Sequence, residues 1–510
     1  MSDFPFLSVL TVAPLVGALV VAFLPRSAPE LAKRVALGWS LAVLVLAGFA
    51  WAAFEVGGER LQLRESYPWI PQWGVNFTFA ADGIALVMLM LIALLTPLVV
   101  LASWHEAERG KRSVPGYFAL LLALEGTMIG VFAAADVFLF YVFFEVMLVP
   151  MYFLIGSYGG HQRQYAAVKF FLYSLVGGLF MLAAVIGLWV VGGKTFDWET
   201  LTRIDMSTGV ERWLFLGFFI AFAIKAPFFP FHTWLPDAGG AAPAPAAALL
   251  VGVMDKVGTF GILRYCLPLF PEASRWFAPY ALALAVIGII YAALLAVGQN
   301  DLKRLVSYTS IAHFGFIGVG IFAFTTQAGT GAVLYMVNHG LATGLLFLVV
   351  GMLVARRGSA LVSDFGGAGK LVPLLAGVLF FAALASLSLP GMAPFISEFL
   401  VLIGTFTVNK PVAVIATLGI ILAAAYALWM VQRTTQGTVN PALNGIDGMR
   451  RDMSLREKVV VAPLIALILV FGFYPKPVTD VINPAVQATM QDIGASDPAP
   501  TVGSNTEAAQ

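Results

Sequence analysis

Uninterrupted apolar stretches recur from one end of the chain to the other, separated by short polar segments. Each is about 20 residues long, the length a helix needs to cross the hydrocarbon core of a bilayer. They fall at 6–24, 36–54, 83–104, 116–134, 137–158, 167–192, 213–236, 244–264, 276–298, 302–324, 328–355, 371–408, 411–432 and 457–474. The pattern predicts an all-α polytopic membrane protein of about fourteen transmembrane helices, numbered here as spans 1 to 14.

Two of these stretches cannot be continuous helices. The run 371–408 is too long for one straight crossing and is interrupted by Pro390-Gly391-Met392-Ala393-Pro394; the run 213–236 is interrupted by Pro227 and Pro230. Irregular backbone at membrane depth is tolerated only where it is buried in protein or lines a cavity, so discontinuous spans 7 and 12 point to a transport site. Counting spans 4 to 8 and 9 to 13 as two sets, the break falls in the fourth member of each. An odd number of spans per set turns the second copy upside down, so two inverted five-helix repeats are expected, each with a half-channel. The corresponding divisions are 1–115 for spans 1 to 3, 116–265 and 266–435 for the two repeats, 436–480 for span 14, and 481–510 for an external polar tail rich in Ala, Pro, Ser and Thr and expected to be loosely ordered. The start, Met1-Ser2-Asp3-Phe4-Pro5, lacks a basic segment and no small-residue cleavage site follows, so the first stretch reads as a retained helix.

Composition sharpens this picture. Apolar residues make up 60% of the chain and charged ones 11%, where soluble domains carry about 25% charged residues. The single cysteine, Cys266, excludes an internal disulfide and a cysteine-ligated cluster or zinc site, and a net charge of +1 gives no reason to invoke nucleic acid. The loops after spans 1, 3, 5, 9, 11 and 13 carry about twice as many Lys and Arg residues, Lys33, Arg109, Lys111, Lys169, Arg304 and Arg356 among them, as the opposite side, where Arg60, Arg64, Arg264 and Arg275 are placed. By the positive-inside rule the richer side faces the cytoplasm and both termini face out. Only Lys225 and Lys256 are left over, and they have nowhere to go but the membrane interior.

A charge at mid-bilayer costs about 2.5–3.5 kcal/mol even on the lenient insertion scale, which makes every intramembrane ionisable group a functional candidate. Span 4 carries Glu125, span 5 Glu145, span 7 Lys225, span 8 Asp255 and Lys256, and span 12 Glu398. Glu145 lies roughly eight residues, about 12 Å, into its helix. A carboxylate and an ammonium brought together at that depth keep each other charged. A static Glu145–Lys225 bridge locking two helices would explain the pair alone, whereas the whole set suggests a proton relay with lysine in the middle and a carboxylate near each end. Lysine can gain and lose its proton there and arginine cannot. Asp255, adjacent to Lys256 in sequence, points away from it on a helix and is expected to face another neighbour.

The histidines add less. His313 follows Ser307, Tyr308, Thr309 and Ser310 on a polar-faced span and could join a proton wire with His339, or be satisfied by a nearby carbonyl. Haem held between His313 and His339 is disfavoured, since there is neither a second histidine pair nor a Cys-x-x-Cys-His segment. Gly366-Gly367-Ala368-Gly369-Lys370 is reminiscent of a phosphate loop, but Asp364 stands where the first glycine belongs and Leu371 where Ser or Thr must hold magnesium. Gly177-Gly178 and Gly187 require only close helix packing.

The segments Phe222-Ala223-Ile224-Lys225-Ala226-Pro227-Phe228-Phe229-Pro230-Phe231-His232-Thr233-Trp234-Leu235-Pro236-Asp237-Ala238 and Asp301-Leu302-Lys303-Arg304-Leu305-Val306-Ser307-Tyr308-Thr309-Ser310-Ile311-Ala312-His313 resemble the signature stretches of the antiporter-like subunits of respiratory NADH:quinone oxidoreductase, complex I. The resemblance extends over nearly all fourteen spans. Within that family Glu398 on span 12 matches the branch that has glutamate where its sister chains, and their relatives in multisubunit cation/proton antiporters, have lysine. The resemblance implies a proton-pumping subunit of the bacterial inner membrane with no cofactor of its own. FMN, iron–sulfur clusters and quinone would be held by partner subunits, and neighbouring antiporter-like chains would be its membrane partners. It further implies that Glu145 and Lys225 form a switching pair, that Lys256, His313 and His339 lie on a central polar axis, and that Glu398 ends the exit half-channel. The alternatives are a subunit of a cation/proton antiporter without redox coupling, and a passive scaffold in an electron-transfer complex.

Overall fold

The computed structural model describes residues 4–108 and 112–498. Residues 1–3, the basic pair Arg109 and Lys111, and residues 499–510 of the expected tail lie outside the described residues. Among the described residues, ten helices are long and apolar enough to cross a membrane: Pro29–Ala53, Gly83–Ala102, Val114–Ala133, Val137–Tyr158, Arg163–Val191, Ala244–Leu269, Pro271–Val297, Leu302–Phe322, Thr326–Arg357 and Lys410–Thr435. They correspond to spans 2 to 6, 8 to 11 and 13. Span 14, Leu455–Phe473, bends by 68° into a further helix, Lys476–Asp492, and this pair would make an eleventh. Span 1 (Phe6–Ala22) and the two halves of span 12 (Pro373–Ser386 and Ala393–Val408) are shorter apolar helices. Helices begin a few residues before the apolar stretches because polar residues such as Arg163 occupy their first turns.

Spans 8, 10 and 11 form the interior, buried over 94% or more of their apolar windows, whereas spans 2, 6 and 13 keep most of theirs on the outside. Their exposed residues, such as Phe49, Leu179 and Ile421, are large and apolar. Such a surface suits lipid or other membrane subunits and would not be stable in water.

Both expected breaks are present. Span 7 runs Thr208–Lys225 and resumes at Trp234–Ala241. Pro227 and Pro230 have no N–H to donate, so the ladder cannot continue through them, and the Trp234 indole reaches back 2.9 Å to the free carbonyl of Ile224. Span 12 breaks between Ser386 and Ala393. There Ser388 has φ 59° and Gly391 φ 93°; the left-handed region is costly for serine and cheap for glycine. Span 5 is interrupted as well, at Met147, between Val137–Val146 and Leu148–Tyr158. Pro150 explains it, since it cannot donate to Val146 four residues earlier.

Three features differ from the sequence expectation. An antiparallel hairpin, β1 (Gln62–Ile70) with β2 (Val75–Ala81), lies between spans 2 and 3; its short alternating strands leave no mark in a search for apolar runs. The polar tail from 481 is not loosely ordered at its start, because Lys476–Asp492 is a helix that buries Val478, Val481, Ile482, Val486 and Met490. Its composition is polar, but its apolar residues recur at helical spacing and cover one face. Arg264, assigned to a loop, lies inside span 8, 3% exposed. Asp82 at 2.8 Å offsets its charge, so the helix continues past it to Leu269.

Candidate functional site

Lys225 is the last residue of the first half of span 7, and its buried ammonium points toward two phenyl rings, 5.1 Å from the centre of Phe144 and 5.6 Å from that of Phe170. Among the described residues its Nζ has no hydrogen-bond partner, and neither has Glu145 Oε1. The direct Glu145–Lys225 bridge considered from the sequence is therefore not formed, although each charge acts on the other. Glu145 sits two residues before the interruption at Met147, and its carboxylate lies over Gly178 of span 6, where a Cβ would overlap Oε1.

Span 8 departs from α-helical winding at two places, the π-turns Leu250–Met254 and Ile262–Cys266. Asp255 follows the first, its N–H bonded to Leu250 O at 3.1 Å, five residues back. Its carboxylate is buried without a hydrogen-bond partner and acts electrostatically on both Lys256 and Lys225. Both lysines are thus within its electrostatic reach, which the expectation of "another neighbour" left open. Lys256, also fully buried, turns the other way: its Nζ donates to Val251 O and lies 2.6 Å from His339 Nδ1. The approach of span 11 that this contact needs is permitted by Gly340, where a Cβ would stand 2.6 Å from Gly252 O.

From His339 the polar line continues. The His313 ring stands edge-on to it, centroids 5.2 Å apart, and His313 Nε2 is 3.2 Å from the Tyr426 hydroxyl. Tyr335, its ring 5.8 Å from that of His313, donates to Glu398 Oε2 at 3.5 Å. Ser388 of the span 12 break lies beside both Glu398 and Tyr335. Asn338 ties span 11 to span 12 by donating 2.8 Å to Ala393 O. Every group on this line is buried and can give or accept a proton. The arrangement can pass a proton stepwise from Lys256 to Glu398 if the imidazoles and hydroxyls reorient.

Glu125 is not part of it. Its oxygens have no hydrogen-bond partner among the described residues, and the nearby Thr96 hydroxyl is already donated to Ile92 O at 2.9 Å. Of the helix-breaking prolines, Pro227 and Pro230 follow Lys225, while Pro390 and Pro394 flank the turn before Glu398. Tyr335 and Tyr426 were missed from the sequence. Tyr335 precedes His339 by four residues and so shares its helix face, a usable signal; nothing in the sequence singles out Tyr426. No group of three or more His, Cys, Asp and Glu side chains that could hold a metal ion occurs among the described residues.

Residues 134–423 match the family described as NADH:quinone oxidoreductase/Mrp antiporter, transmembrane. The chain is 47% identical to NADH-quinone oxidoreductase subunit M of Mycobacterium tuberculosis, covering 98% of this chain and 97% of that protein. It is 37% identical to NADH-ubiquinone oxidoreductase chain 4 of Marchantia polymorpha, covering 95% and 97%. Among solved structures it is similar to a chain of respiratory complex I from Thermus thermophilus with bound NADH, at TM-score 0.87 and 30% identity, covering 96% of this chain and 100% of that one. A chain of the Mrp complex from Dietzia shares the fold at TM-score 0.81 and 22% identity, covering 96% of this chain and 52% of that one. The chain belongs to the NADH:quinone oxidoreductase/Mrp antiporter membrane family, in the branch of NADH-quinone oxidoreductase subunit M.

Proposed function

We propose that the chain moves protons from the cytoplasm outward across the bacterial inner membrane, as a membrane subunit of a NADH:quinone oxidoreductase. In this reading it crosses the bilayer fourteen times with both termini outside, and spans 4 to 8 and 9 to 13 form two inverted half-channels. Glu145 and Lys225 load the first, Lys256 and the two histidines carry the proton across the centre, and Glu398 releases it from the second. The work comes from electrons passing from NADH through FMN and iron–sulfur clusters to quinone in partner subunits, with other antiporter-like chains as its membrane neighbours.

The observation that carries this reading is the buried line from Lys256 through His339 and His313 toward Tyr335 and Glu398. A structural role for the charges would need ion pairs, and these groups form none with one another. Release at Glu398 works against the membrane potential, by about 2.3 kcal/mol per 100 mV for each proton, so the last group must be titratable. Glu398→Gln should therefore block proton-coupled turnover in an assembled complex, whereas Glu398→Lys should retain part of it. Proton uptake into inverted vesicles, measured beside NADH oxidation, reads both. An assembled Glu398→Gln complex that pumps at the wild-type rate would place the exit elsewhere, and a sodium gradient discharged without NADH would favour the antiporter reading instead.

A further inference from the structure

Glu145 and Lys225 have no direct contact, yet both touch the same stripe of span 6. Phe170, Ser174 and Gly178 are spaced by four residues and lie one above another on one helix face. The Lys225 ammonium faces the ring of Phe170 at one end of that stripe, and the Glu145 carboxylate fills the notch at Gly178 at the other. Ser174 lies between them. It is 2% exposed, and its hydroxyl has no hydrogen-bond partner among the described residues.

Among the described residues it shares that freedom with the buried hydroxyls of Ser310, Thr343, Ser386, Ser388 and Thr405, but only Ser174 lies on the stripe between Phe170 and Gly178. Other buried hydroxyls bond to their own helix: Thr11 to Leu7 O, Thr96 to Ile92 O and Thr434 to Met430 O, each within 2.9 Å. An unpaired buried hydroxyl costs about 1–3 kcal/mol. Ser174 accepts that cost between a half-buried acid and a buried base. Next to the notch, Gly177 packs against Ala221 and Ile224 of span 7, a Cβ there standing 3.2 Å from Ala221 Cα. Span 6 thus presses on the turn of span 7 that carries Lys225 while it receives Glu145.

We propose that Ser174 is the proton bridge between Lys225 and Glu145, and that Gly178 is the positioning residue that seats the Glu145 carboxylate within its reach. The inference rests on the proton-translocating reading above. In the transfer, the Lys225 ammonium gives a proton to Ser174 Oγ while the Ser174 hydroxyl gives its own to the Glu145 carboxylate. One N–H and one O–H bond break and two O–H bonds form; the products are a neutral amine, a carboxylic acid and the hydroxyl restored. The reverse transfer reloads the lysine.

The test uses the assembled complex in vesicles and reads the ratio of protons moved to NADH oxidised. Ser174→Ala should lower the ratio to the level of Lys225→Ala, and Ser174→Thr, which keeps the hydroxyl, should restore it. Gly178→Ala should also lower the ratio, and adding Glu145→Asp, whose shorter side chain withdraws from the new methyl, should recover part of the loss. A Ser174→Ala complex with the wild-type ratio beside a defective Lys225→Ala complex would overturn the bridge and leave the pumping role standing. Equal damage from Ser174→Ala and Ser174→Thr would also overturn it, since packing alone would then be at stake. Wild-type ratios in Ser174→Ala and Lys225→Ala together would overturn the pumping role itself.

Discussion

Lys225 and Lys256 are both buried, and their surroundings are opposite in kind. Lys225 stands at a helix end, faces phenyl rings and has no hydrogen-bond partner among the described residues. Lys256 stands inside a helix and is held by a carbonyl and an imidazole. Glu145, close to the first, lies beside an interruption in its own helix, whereas His339, against the second, lies within an unbroken helix of 32 residues. A group with few bonds beside broken backbone can change position at little cost, and a group tied into a bonded line cannot. On the proposed reading the first half would act as a switch and the second as a wire, although both use the same amino acid.

Removing each lysine tests that contrast most strongly. Lys225→Ala and Lys256→Ala should each abolish pumping through this subunit while the complex still assembles; loss of a positioned proton-transfer group slows transfer on the order of a hundredfold or more. An arginine variant then tests the second lysine further. Lys256→Arg should be as harmful as alanine because the line there needs a group that releases its proton. Proton-to-electron ratios in vesicles, with NADH oxidation as the control for assembly, decide both.

Glu145 offers a smaller effect and a sharper distinction. Glu145→Gln removes the charge that acts on Lys225 and should approach the Lys225→Ala defect, while Glu145→Asp keeps it and should be mild. If both variants pump equally poorly in an assembled complex, the residue is structural and the first half is no switch. The smallest effect is expected at Tyr426. Its hydroxyl lies against His313 at 3.2 Å, and a single such hydrogen bond contributes about 0.5–1.5 kcal/mol, so Tyr426→Phe should slow pumping by no more than about tenfold. A complete loss would show that the wire runs through Tyr426 instead of past it.

Ten of the spans and the breaks in spans 7 and 12 could be read from the sequence, because lipid imposes one rule on every segment: apolar side chains outside and satisfied backbone within. Where that rule does not apply, legibility ends. The hairpin Gln62–Ile70 with Val75–Ala81 lies outside the apolar stretches and follows its own alternation. Arg264 looked like a loop residue since nothing in the sequence shows that Asp82, far away along the chain, is its partner. The candidate site was legible as a set of residues but not as a path. Depth in a helix indicates which groups are buried; it does not show that Lys256 turns toward His339 while Asp255 acts on both lysines. Ser174 and Gly178 carried no signal either, as small residues on a packed helix normally need no further explanation.

The helix Lys476–Asp492 bears on how the protein is made. Asp492 is paired at 2.7 Å with Arg60, just ahead of the hairpin, and the Val481 carbonyl lies so close to Gly83, at the start of span 3, that no Cβ would fit between them. More than four hundred residues of chain separate Arg60 from its partner. During synthesis this end of the bundle therefore waits, with the Arg60 guanidinium and the backbone at Gly83 uncovered, until nearly the whole chain has left the ribosome. A nascent chain stalled before Lys476 would have all its spans and an unfinished surface, and membrane quality control could recognise it by that surface alone.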